Sequence, residues 1–274
     1  MVITDILNID GWTVKDGAHA SLFSLPSLKS PNSVDWPEED GVQYDTVGLC
    51  LSSKEFTVNY VRCIGCDEVN EFETALRSSY ALTSVKAGDI QDYNDGTPTA
   101  LTLDLRVKSI TKTYNGELCT MAVVYSMDTP LQGSTLSILP IAPHSSGWTM
   151  DGYEMGRWGF VGLENALTSY HIDATTKTPL NYAIATLDGS IYDTAATPTR
   201  TANTHTLPML FRLPISKAWS VLNGFVTALR QDGMRVLTDP HGDKRECIYN
   251  SASCSSCLIQ NGEVWAKFSI VFNS

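Results

Sequence analysis

The chain has 274 residues, 43% of them hydrophobic and 18% charged, which is enough to bury a core and argues against a disordered polymer. Its formal net charge of −11 is one-sided: residues 1–128 hold 9 Lys+Arg against 19 Asp+Glu, a net −10, and residues 129–274 hold 10 against 11, a net −1. Such a surface does not grip nucleic acid by neutralising phosphates, although it can repel a polyanion passing close by.

The opening MVITDILNID has no basic stretch and carries Asp5 and Asp10 where a secretory leader would be apolar, so no leader is expected. No run approaches the length that crosses a bilayer. The seven cysteines are odd in number and are expected to be free thiols in a reducing cytoplasm. Residues 28–43, LKSPNSVDWPEEDGVQ, form a polar segment with two prolines and four acidic residues. Trp36 has no local apolar stripe to join there. Either it folds back onto its own domain, or, with Pro37, Glu38, Glu39 and Asp40, it anchors a contact with another chain.

Three segments then alternate with a period near two and predict strands: FTVNYVRC (56–63), ALTLDLRVKSITKTY (100–114) and LCTMAVVYSM (118–127). A helix lies between the first two, with Asp67 as its cap and Val69, Phe72, Ala75 and Leu76 as its apolar stripe. Asn115-Gly116 predicts a type I′ hairpin turn. Residues 128–149 are rich in Pro, Ser and Gly and mark a boundary. Beyond it LPMLFRLP (207–214) predicts a strand. A second helix follows, capped by Ser216 and closed by Gly233, with Trp219, Leu222, Phe225, Val226 and Leu229 on one stripe. TDPHGD (238–243) reads as a looser hairpin turn, Asn261-Gly262 as another type I′ turn, and VWAKFSIVF (264–272) as the closing strand. Trp219 and Trp265 are both expected on core-facing stripes.

Five segments return in the same order. FETALR (72–77) matches FVTALR (225–230), and DGVQYDT (40–46) matches DGSIYDT (188–194). FTVNYVRC matches LPMLFRLP, NGELCTMAVVYSM (115–127) matches NGEVWAKFSIVFN (261–273), and IDGW (9–12) loosely matches MDGY (150–153). Together they predict a tandem repeat. Residues 1–8 form an N-terminal extension, 9–128 the first unit, 129–149 a linker and 150–274 the second unit. The expected fold is mainly β: two antiparallel sandwich or barrel units, each with one packed α-helix and with Phe72, Leu76, Phe225 and Leu229 at the helix cores.

Little chemistry is visible. Cys63-x-x-Cys66 and Cys254-x-x-Cys257 have the spacing of paired zinc ligands, but they fall in non-equivalent places and no further ligands lie near either pair, so plain thiols are expected. His171 in HID (171–173) and His241 in DPHGD (239–243) have carboxylates beside them, without a matched nucleophile. No catalytic residue, metal or cofactor is assigned.

A tandem of helix-flanked β units, acidic and without catalytic groups, resembles the tail-tube fold of tailed bacteriophages. LPSLKSPNSVDWPEEDG (25–41), followed by strands and FETALRSS, is similar to distal-tail or tail-tube-like proteins of phages and prophages of Bacteroides-type hosts. The resemblance implies a virion structural protein assembled in the host cytoplasm, at a tube, distal-tail or hub position. It implies a ring of copies, other tail proteins as neighbours, and DNA passing through the lumen without specific binding. No membrane is involved. Residues 26–43 and 175–187 would then be loops reaching toward a neighbouring ring. Two units per chain favour a trimer with pseudo-sixfold symmetry slightly over a hexamer. The alternative from another class is a carbohydrate-binding or adhesin β-sandwich using exposed tryptophans and tyrosines.

Overall fold

A computed structural model describes residues 2–15, 17–63, 66–78, 81–94, 97–130, 138–177, 181–182, 191–192 and 198–274. The protein is mainly β, with antiparallel sheets of the sandwich or barrel class. The first half contains β1 (Thr13–Val14), α1 (Ala18–Phe23), β2 (Ser33–Val34), β3 (Gln43–Tyr44) and β4 (Lys54–Cys63). It continues with α2 (Cys66–Ser78), β5 (Ala81–Asn94), β6 (Thr97–Asn115) and β7 (Leu118–Met127). The second half contains β8 (Thr149–Met150), β9 (Tyr153–Glu154), a 3-10 turn over Met155–Trp158, β10 (Phe160–Gly162) and α3 (Ala166–Tyr170). It goes on through β11 (Asn181–Tyr182), β12 (Ile191–Tyr192), β13 (Thr204–Pro214), α4 (Ile215–Leu229), β14 (Arg235–Thr238), β15 (Lys244–Gln260) and β16 (Glu263–Asn273).

The strands form because apolar residues recur at every second position, and each sheet turns that face inward. In β4 the buried apolar residues are Phe56, Val58 and Tyr60; in β13 they are Leu207, Met209, Phe211 and Leu213. The first sheet has the order β1-β4-β7-β6-β5, and the second has β10-β13-β16-β15-β14-β8-β9. Over their first five strands the two orders are the same, and each long helix joins the same pair of neighbours in sequence. The register makes the correspondence residue by residue. Val14 pairs with Tyr60 as Phe160 pairs with Phe211, so Trp12 and Trp158 occupy matching places. Trp12 packs on Phe72 with ring centroids 4.9 Å apart, and Trp158 packs on Phe225 at 5.6 Å. Each indole N–H is buried without a hydrogen-bond acceptor among the described residues. This corrects one expected match: the register pairs the tryptophan of IDGW with Trp158 and not with Tyr153.

The four helix-core residues Phe72, Leu76, Phe225 and Leu229 are all buried. The helix starts differ from expectation. Pro214 precedes α4 and Ser216 lies inside it, because β13 runs straight into the helix and Ile215 donates its N–H to Gly262 O (2.8 Å). Asp67 likewise falls within α2, and Gly233 lies beyond Arg230, which ends α4, donating instead to Thr46 O. At the second hairpin Asn261 (φ 54°) and Gly262 (φ 74°) form the expected type I′ turn. The first hairpin is shifted by one residue: Asn115 pairs with Leu118, leaving Gly116 and Glu117 at the tip. Gly116 alone has positive φ (59°), the type II′ pattern, which a glycine in the first central position satisfies while Asn115 stays in the ladder. Trp265 is also corrected. It sits opposite Arg212 on the outer face of β16, with the guanidinium 4.1 Å over its ring, between the buried Val264 and Ala266.

The halves are interlocked. β14 pairs with β15 only as far as Cys247, and residues 24–28 of the first half take up the edge beyond it. Leu25 bridges Ala252, Leu28 N–H donates to Asn250 O (2.8 Å), and Tyr249 Oη donates to Pro26 O (2.9 Å). In return α4 of the second half packs against β5 of the first. The N-terminal extension covers the far edge of β5 by a parallel bridge between Asp5 and Lys86. One hydrophobic core runs through both sheets.

Candidate interaction site

Two short strand pairs occupy corresponding places in the two halves. Ser33 pairs with Tyr44 in the first, and Asn181 pairs with Tyr192 in the second, the same register 148 positions on. Of the second expected loop, 175–187, residues 178–180 and 183–187 lie outside the described residues. What the structure adds is that the two loops dock on each other. Lys177 Nζ donates to Trp36 O (2.6 Å), Glu39 O (2.6 Å) and Gly41 O (3.1 Å), and pairs with the Asp35 carboxylate at 2.6 Å. Thr199 Oγ1 donates to Pro37 O (2.7 Å), Arg200 N–H to the Asp40 carboxylate (2.6 Å), and Gly41 N–H to Arg200 O (2.9 Å).

The local reason is a shortage of ladder partners. A proline-broken turn leaves carbonyls pointing together, and a lysine side chain with three donors satisfies them at once. Lys177 is the one lysine between Lys112 and Lys217, and its role was not read from the sequence; that isolation is the signal that could have found it. With the backbone so held, residues Trp36–Asp40 stay exposed, the indole 48% accessible. The arrangement holds the backbone of an exposed aromatic within a stretch that also carries Asp35, Glu38, Glu39 and Asp40. Pre-organisation of that kind lowers the ordering cost of a protein contact.

Lys177→Ala is therefore expected to loosen the loop by about 2 kcal/mol, the scale of a hydrogen-bonded charge. Hydrogen exchange should rise at residues 35–41, and Trp36 fluorescence should shift red, with little change in overall melting.

The cysteine pairs do not converge among the described residues. Cys63 is exposed at the end of β4, and the Cys66 side chain is outside what is described. Cys254 and Cys257 lie on β15, where burial pushes their thiols up to about 11 and about 12. Two histidine-bearing segments do converge. His171, at the end of α3, places Nε2 2.9 Å from Asp239 Oδ2 and 3.9 Å from Asp243 Oδ2. Burial alone would raise the Asp239 carboxyl, but His171 and the N–H groups of Asp243 and His241 outweigh it and hold the group below the usual range. The His241 backbone, rather than its ring, contributes to that cluster. Comparison with protein-family models and with curated proteins finds no match to the chain.

Proposed function

We propose that the protein is a structural subunit that works by self-assembly: a tube, distal-tail or hub component of a bacteriophage tail, whose copies close into a ring around a DNA channel. One observation carries this reading. Two sheets of the same strand order over five strands interlock in one chain, while the long β6–β7 hairpin keeps part of its outer edge free of any described strand. β5 pairs with β6 only to Arg106, so along residues 107–115 the edge of β6 that faces away from β7 has no strand partner among the described residues. An edge of that length is a template for a further strand, and a ring of identical copies covers it. Lys108 and Lys112 on β6 form ion pairs with Glu55 and Glu73, which limits indiscriminate pairing.

The excess acid of the first half suits a lumen that does not hold phosphate. The halves are alike in topology but not in surface, since α4 is buried on most sides and α2 on one stripe. Joints within a chain and joints between chains then differ, which favours three chains over six. A sugar-binding platform is less well supported. Trp12, Trp148, Trp158 and Trp219 are in the core and Trp265 lies under Arg212, leaving one exposed indole of six.

Light scattering with electron microscopy of the purified chain tests the proposal. Rings, or defined oligomers growing with concentration, are expected, and a strict monomer at high concentration would overturn it. Trp36→Asp is expected to prevent association between rings while leaving stability within about 0.5 kcal/mol, as for an exposed site.

A further inference from the structure

His171 follows α3, far in sequence from the β14–β15 turn that carries both Asp239 and Asp243, and the three ligand atoms lie within 4.8 Å of one another. We propose that they form a binding site for a divalent transition-metal ion of the Mn²⁺ or Zn²⁺ class, fastening the root of the second loop to the β14–β15 turn.

The site is assembled by packing. Tyr170, the last residue of α3, stacks edge-on against Trp148 (5.1 Å) and donates its hydroxyl to Leu237 O (2.9 Å) and Asp243 O (3.1 Å). That anchors the end of the helix against residues 237–243 and delivers the next side chain, His171, to Asp239. The Asp239 side chain is 0% exposed. Its Oδ1 is occupied by the N–H groups of His241 (2.9 Å) and Asp243 (2.8 Å), which leaves Oδ2 aimed at the imidazole. Asp243, 68% exposed, closes the third side and leaves the remaining positions to water.

In octahedral coordination, ligand atoms held ~2.1 Å from a cation stand about 3.0 Å apart when adjacent and about 4.2 Å apart when opposite. The 2.9 and 3.9 Å separations at His171 Nε2 lie close to those two limits. A bare ion pair explains the contact with Asp239 but not why a second carboxylate closes on the same nitrogen. One imidazole with two carboxylates favours a borderline cation over Mg²⁺, which prefers oxygen alone and keeps its water. Binding uses the Nε2 lone pair, so the ion takes the place of the direct His171–Asp239 contact. Arg245, which faces Tyr170 at 5.2 Å, is the nearby cation that the metal's charge must tolerate.

The test uses the full chain, stripped with EDTA and titrated with Mn²⁺ under electron paramagnetic resonance; Mn²⁺ avoids the cysteine thiols that would capture Zn²⁺. One bound Mn²⁺ per chain is expected, weakened more than about 10-fold in both His171→Gln and Asp243→Asn. Asp243 is exposed, so its variant folds irrespective of the metal. Mg²⁺ in equal concentration should not displace the Mn²⁺. No retention at millimolar Mn²⁺, or equal retention by either variant, would overturn the proposal.

Discussion

Val221→Glu is expected to destabilise the protein by more than about 4 kcal/mol, lowering the melting temperature by roughly 10 °C or more. Val221 lies on α4 and is 0% exposed, within a helix held between its own sheet and β5. Aligning the helices on Phe72 and Phe225 puts Glu68 of α2 at the matching position. Glu68 is half-exposed and pairs with Arg62 at 3.2 Å. The same carboxylate is therefore solvated in one copy and would be buried, without a partner, in the other. The converse change, Glu68→Val, loses only a surface ion pair and is expected to stay within about 0.5 kcal/mol. Urea titration of both variants measures the contrast. Similar losses at the two sites would mean that α4 is not clamped as described.

Lys54→Met is expected to stabilise the protein at neutral pH. Lys54 is 5% exposed, on the inner face of β4, at the register position that His205 holds in β13. Its ammonium donates to Leu22 O and lies 4.9 Å over the Trp219 ring. Those contacts do not replace its lost hydration: burial lowers its pKa from 10.5 to about 7, with the Cys254 group opposing weakly. Between these limits the unfolded chain keeps a proton that the folded chain has released, so stability rises with pH through the window and is lowest below it. The full difference is on the order of 3–5 kcal/mol, less what the hydrogen bond and the ring return. A methionine of similar volume removes the penalty, and a gain of about 1–3 kcal/mol at pH 7 is expected. The thiols of Cys254 and Cys257 are raised and oppose the trend above pH 9, because their unfolded forms ionise first. The measurement is thus the difference between wild type and Lys54→Met across pH 6 to 10. A flat difference would show that Lys54 stays charged throughout.

Spacing alone located the long strands β4, β6, β7, β13 and β16 and both long helices, but not β5 (Ala81–Asn94) or β15 (Lys244–Gln260). β7 begins and ends where LCTMAVVYSM does, and Phe72 and Phe225 are core residues as their stripes imply. Periodicity reports these features because one face of each element must leave water, whatever lies on the other side. Turn details were less legible. Asn115-Gly116 and Asn261-Gly262 are the same dipeptide, yet only the second occupies a tip, because Gly116 serves a different turn type when the ladder extends by one residue.

By itself, the sequence determined the repeated alternation, the helix stripes and the one-sided charge, all of which are properties of a residue and its near neighbours. Only tertiary structure decided which half covers which edge, that Lys177 closes on the Trp36 loop, and that His171 meets Asp239. Each of those contacts joins residues far apart in the chain. Their partners are set by where two sheets pack, and no local pattern of hydrophobicity records that geometry.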